Sequence, residues 1–150
     1  MKRLSVFVFG LIIMSTPGAY DMEQHLWQER LLILVAPSEQ DPDLQRLREI
    51  VRERRDAIVD RDLRVFELVA DRGWCDGEPL DAAEVAALRA RLAVSPDAKS
   101  MILIGLDGGE KRRASLDTGL SDLFAQIDGM PMRRADIRAK RSAGRPVTEP

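Results

Sequence analysis

Residues 101–113 read MILIGLDGGEKRR. Met101 to Leu106 is apolar apart from Gly105, which suits a strand covered on both faces. Asp107-Gly108-Gly109 follows, and glycine accepts the positive φ that tight hairpin turns need. Glu110 to Ala114 then returns as a polar strand suited to a sheet edge. The stretch predicts two antiparallel strands joined by a tight turn. It also argues against a phosphate cradle, because these glycines lead into a strand and not into a helix N-terminus.

Upstream, Leu31 to Ala36 (LLILVA) is a second unbroken apolar run, stopped by Pro37-Ser38. Asp41-Pro42 has the form of an N-cap with proline at the first helical position. Leu44, Leu47, Ile50, Val51 and Ile58 recur at helical spacing, predicting an amphipathic helix over 43–58. Asp60-Arg61-Asp62 separates it from a strand at 63–70, LRVFELVA. Residues 71–79, DRGWCDGEP, read as a loop by composition. AAEVAALRARLAV is rich in strong helix formers, and Ser95-Pro96-Asp97 ends it. Asp117 caps a last helix over 118–128, with Leu120, Leu123, Phe124 and Ile127 on one face. The order is β-α-β-α-β-β-α, and a strand-helix-strand unit makes the first two strands parallel with a right-handed crossover. The fold class expected is α/β: a thioredoxin-like three-layer sandwich around a mixed four-stranded sheet.

The 150 residues suit one domain. Hydrophobic residues make up 45% and charged residues 32%, so a core with a solvated surface can form. A formal net charge of −2 gives no basis for nucleic-acid binding. Lys2 and Arg3 precede an apolar run from Leu4 to Met14, and Ser15 to Ala19 are small or turn residues. That is the layout of a secretory signal peptide, assigned to 1–19, and the run is too short for a spanning helix. Export to the periplasm or beyond is the expectation, with no stable membrane span after leader removal. The folded domain is assigned to 24–138. Residues 139–150 read as a basic, disordered tail. With one cysteine and one histidine, no Cys/His metal cluster can be assembled.

Four stretches occur together: LWQERLLILVAPS, DRDLRVFEL at 60–68, ILIGLDGGEKRR at 102–113 and FAQIDGMPMRRADIR at 124–138. In combination they resemble the DUDES domain family. That family is found in short exported bacterial proteins of unknown function. It is shared with sushi-repeat-containing and coiled-coil-domain-containing secreted animal proteins. The resemblance covers about residues 24–138 and implies a thioredoxin-like fold, in agreement with the element order. It brings no settled reaction. The commoner form of the family carries lysine before the DGG, where this chain has Leu106.

In a thioredoxin the nucleophilic thiol follows the first strand, at a helix N-terminus that stabilises a thiolate. Here that segment is APSEQDPDL, 36–44, without cysteine. Ser38 would need an adjacent base, and His25 precedes the strand, so Ser38 reads as a turn and cap residue. Cys75 stands between Trp74 and Asp76, and neighbouring carboxylates raise a thiol pKa; it is the candidate reactive thiol. Asp41, Asp43, Asp60 and Asp62 lack the EF-hand pattern and read as caps and a solvated turn.

The remaining candidate is a binding surface. It joins Asp107, Gly108 and Gly109 of the turn, Arg112 and Arg113 of the edge strand, and Met130, Pro131, Met132, Arg133 and Arg134. Polarisable sulfur beside guanidinium forks suits an acidic ligand or a partner protein. The alternative has the methionines closing the end of the sheet and the arginines paired with acidic neighbours. The function expected is an exported binding or interaction module without catalysis or cofactor. The alternatives are a single-cysteine redox enzyme using Cys75, and an envelope or matrix adhesion component.

Overall fold

The computed structural model describes residues 22–149; the leader assigned to 1–19 lies outside them. A 3-10 turn at Met22–His25 leads into β1, Arg30–Ala36. All seven residues of β1 are buried, which is why its sequence does not alternate. It occupies a central place in the sheet. β2, Leu63–Val69, lies parallel to it, with Arg30 opposite Leu63 and Ala36 opposite Val69. On its other side runs β5, Ser100–Ile104, antiparallel, with Ile33 opposite Ile102. β6, Glu110–Ala114, is the antiparallel edge. Gly108 sits at φ 74° in the turn between them.

The expected four-stranded count is corrected to six. Residues 71–79 are a hairpin, β3 at Arg72–Cys75 and β4 at Glu78–Pro79, added antiparallel to the outer side of β2. The full order is β4-β3-β2-β1-β5-β6. The cause is Asp76-Gly77, with φ 48° and 91°. Two successive positive-φ residues form the two-residue turn whose twist matches flanking strands. Pro79 on β4 cannot donate to a further strand, which suits the outermost position.

Five helices complete the mixed α/β fold. The single helix expected over 43–58 is two, α1 at Pro42–Glu53 and α2 at Arg55–Asp60, separated by Arg54. α3 spans Ala82–Leu92, with Asp81 and Glu84 forming a reciprocal capping box. α4 is Leu120–Asp128, capped by Gly119 and not by Asp117. α5, Pro131–Ser142, was not expected as a helix. Leu32, Leu34 and Ala36 of β1 pack with Leu44, Leu47, Leu123, Phe124 and Ile127, so α1, α2 and α4 cover one face. Leu31, Ile33 and Val35 pack with Val85, Leu88 and Leu92 of α3 on the other.

A buried polar layer fixes α5 to the body. Arg133, 1% exposed, donates to Asp60 Oδ2 (2.5 Å), Asp136 Oδ2 (2.7 Å) and Asp128 Oδ1 (3.1 Å). Arg61 is fully buried and donates to Asp128 Oδ2 at 2.5 Å, with its guanidinium 4.6 Å from the Phe124 ring centroid. The last carbonyls of α2 and of its C-cap residue accept from three guanidinium groups: Ala57 O from Arg61, Asp60 O from Arg133, and Arg61 O from Arg30. Cations at a helix C-terminus complement its dipole. Beyond α5, Thr148 donates its amide and hydroxyl to Asp60 Oδ2 and accepts from Arg61. The segment read as a tail from 139 therefore begins as helix and returns to this layer at Thr148.

Candidate functional site

The two ends of β1 differ in character. Its C-terminal end leads to Pro37–Asp41, the segment that would carry a thioredoxin thiol. Asp41 occupies that helix N-terminus itself. Its carboxylate accepts from the amides of Asp43 (3.0 Å) and Leu44 (3.2 Å). Lys99 closes over it, 3.0 Å from Asp41 and 2.7 Å from Asp43. Burial pulls the Asp41 carboxyl upward, but Lys99 and the two amides outweigh that and hold it below the usual carboxylate range. Glu39 is bound by Arg48 at 2.7 Å. The free amides that would stabilise an external anion or a thiolate are thus taken by an internal carboxylate. Ser38 and His25 lie at opposite ends of β1, so no base stands beside the serine.

Cys75 is half-buried on β3, opposite Phe66 of β2. Burial pushes its thiol above the ordinary value; Arg64 opposes this, and Asp76 adds to it. A neutral thiol is a poor nucleophile. Among the described residues, no group of three or more His, Cys, Asp or Glu is arranged to hold a metal ion. None of their helices is long and apolar enough to cross a membrane.

The N-terminal end of β1 opens on a cavity of about 310 Å³. It is lined by Trp27, Arg30, Gly105, Leu106, Asp107, Lys111, Met130, Pro131 and Met132. Three chain segments meet there. Trp27 comes from the turn before β1, where its amide donates to Leu106 O at 2.7 Å. Leu106 and Asp107 come from the β5–β6 turn, drawn tight by Gly105 N to Gly109 O at 2.9 Å. Met130 to Met132 form the start of α5, held in place by Arg133 one residue on. Trp27 is 65% exposed and Met132 53%, two of the three large hydrophobic side chains exposed among the described residues. Asp107 and Lys111 pair at 2.6 Å, which holds the Asp107 carboxyl below its usual range.

Of the ten residues expected to form a binding surface, the structure brings Asp107, Met130, Pro131 and Met132 into this cavity. Gly108 and Gly109 shape the adjoining turn. The arginines go elsewhere. Arg133 is a buried structural residue and is corrected accordingly: its guanidinium is consumed by three aspartates. Arg112 donates to Gln126 at 3.2 Å. Arg113 donates to Glu110 at 2.7 Å and to Leu92 O at 2.8 Å. Arg134 is exposed on α5, outside the cavity lining. Trp27, Arg30 and Lys111 were missed. A tryptophan just ahead of a buried strand, and a charge opening that strand, were the available signals.

The sequence profile of a family described as Domain of unknown function (DUF4174) matches residues 21–136. It contains both ends of β1 and every segment of the cavity, and its description names no fold and no activity. Comparison with curated proteins and with solved structures finds no match. The chain belongs to the DUF4174 family of domains of unknown function.

Proposed function

We propose that the protein is an exported, thioredoxin-like binding module that performs no thiol chemistry and takes an apolar ligand at the Trp27–Met132 cavity. The fold reading is supported by the four strands β2-β1-β5-β6, with β1 and β2 parallel, β5 antiparallel to β1, and β6 antiparallel to β5. It is supported further by α1 and α4 on one face and α3 on the other. The outer β3–β4 hairpin is then an addition at the β2 edge. Export is supported by the charged start, apolar run and small-residue exit of 1–19.

The non-catalytic reading is supported by Asp41 in the thiol's place and by the raised pKa of Cys75. The same rise opposes the one-cysteine redox alternative. One observation carries the binding reading: Trp27 and Met132 stand exposed over a cavity whose other walls include Leu106, Met130 and Pro131. Pockets with apolar walls and a few polar groups are the usual form of small-ligand sites. The test is a double substitution, Trp27→Ala with Met132→Ala, titrated with the neutral apolar dye Nile red. Both side chains are exposed, so the fold is retained. Affinity should fall at least about tenfold, a loss of roughly 1.4 kcal/mol. Unchanged affinity would overturn the assignment of the cavity.

A further inference from the structure

Arg30 is 2% exposed, and it lines the cavity. Its Nη1 donates to Arg61 O at 2.8 Å, which accounts for its structural role at the end of α2. Asp62 comes only within 4.0 Å of that same nitrogen. The Nε of Arg30 is buried and has no hydrogen-bond partner. A buried donor on a charged group is costly to leave unmade. Arg61 and Arg89 also carry an unpartnered Nε, but of the three only Arg30 lines this cavity.

The charges around the cavity restrict what can meet Arg30. Lys111 is neutralised by Asp107 at 2.6 Å. Among the residues lining the cavity, the positive charge of Arg30 is then left unmatched, Asp62 reaching it only at 4.0 Å from outside the lining. Asp107 would repel a second negative charge on a ligand, so a monoanion fits better than a phosphate dianion. The walls require that the rest of the ligand be apolar. Trp27 is held at φ 62°, a left-handed conformation unfavourable for a bulky side chain. Strain of this sort is found at ligand clamps. Met132 adds an unbranched, adaptable side chain.

Resting on the reading of this cavity as a ligand site, we propose that it takes an apolar monocarboxylate, its carboxylate on Arg30 and its apolar body against Trp27 and Met132. The group could belong to a free aliphatic acid or to a peptide ending in an apolar residue. Isothermal titration at neutral pH with two matched pairs separates these sources: octanoate against octanol, and N-acetyl-Gly-Leu against its C-terminal amide. In at least one pair the carboxylate should bind at least tenfold more tightly than its neutral partner, and the pair that does so identifies the source. Trp27→Ala should weaken that binding at least tenfold. Arg30→Gln should abolish the preference. Because Arg30 also supports α2, the wild-type ratios carry the test should that variant not fold. Equal affinity within both pairs would overturn the carboxylate inference and leave the apolar cavity standing. No binding of any of the four, or binding indifferent to Trp27→Ala, would overturn both.

Discussion

Replacing Asp60 by asparagine keeps the side chain's shape and removes its charge. In the folded protein that carboxylate meets Arg133 at 2.5 Å, Lys140 at 2.8 Å, and the Thr148 hydroxyl and amide at 2.9 and 3.1 Å. Arg133 is fully buried, so it cannot turn to water for a substitute. Breaking one side of a buried pair typically costs 3–5 kcal/mol. Arg133 retains Asp128 and Asp136, which puts the expected loss at the lower end, about 3 kcal/mol. Asp136→Asn is the internal control. That carboxylate is 37% exposed, and its loss should cost under about 1 kcal/mol. Urea unfolding followed by far-UV circular dichroism measures both.

The pH dependence gives a second reading of the same substitution. Burial pulls the Asp60 carboxyl upward, but Arg133, Lys140 and Thr148 outweigh it and hold its pKa well below the usual range. Between the depressed folded value and the unfolded value of about 3.9, the unfolded chain binds more protons. The contribution of Asp60 is therefore complete above about pH 4 and is lost as pH falls through the folded pKa. The gap between wild type and Asp60→Asn should narrow on acidification. A neutral-pH difference below about 1 kcal/mol, or a gap that does not change with pH, would refute this account of the buried layer.

Three further predictions follow from single residues. Cys75 should titrate above the free-cysteine value of about 8.5 and react slowly with a soluble disulfide reagent; fast labelling at neutral pH would contradict its description as a half-buried, neutral thiol. Gly108→Ala meets both a φ of 74° and a Leu26 Cδ2 only 2.6 Å from the added methyl, so thermal unfolding should register a loss of about 1–2 kcal/mol, with no loss refuting the turn geometry. Asp41→Ala removes the α1 cap and one of the two carboxylates that Lys99 meets; chemical denaturation should report a loss of about 1 kcal/mol, and a neutral result would mean the cap is redundant.

The sequence was most legible where burial is apolar. Leu31–Ala36 and Met101–Ile104 declare themselves as strands because both sheet faces are covered. Asp41-Pro42 marks the start of α1 through two independent signals. The β3–β4 hairpin was also encoded, in Asp76-Gly77, but the polar residues around it read as loop. α5 was hidden for a different reason. Its one buried side chain is Arg133, so it lacks the apolar face that marks the other helices, and the periodicity fades after Ile137. The candidate site was half legible. Asp107 and Met130–Met132 could be named because turn glycines and a proline between methionines are distinctive. Which arginine faces the cavity depends on where α5 docks against the ends of α2 and α4, a long-range contact without a local signature. Arg30 stands at the head of an apolar strand with no neighbouring motif to mark it, whereas Arg133 follows the distinctive Met-Pro-Met.

The central claim is that ligand binding sits at the N-terminal end of β1 and not at the end where a thioredoxin would carry its thiol. Backbone amide chemical-shift mapping during titration with octanoate and octanol tests this most directly. The account predicts shifts concentrated at Trp27, Gly105–Asp107, Lys111 and Met132, with Ser38–Asp43 and Cys75 unmoved. Shifts centred on Ser38–Asp43 or on Cys75 would contradict it.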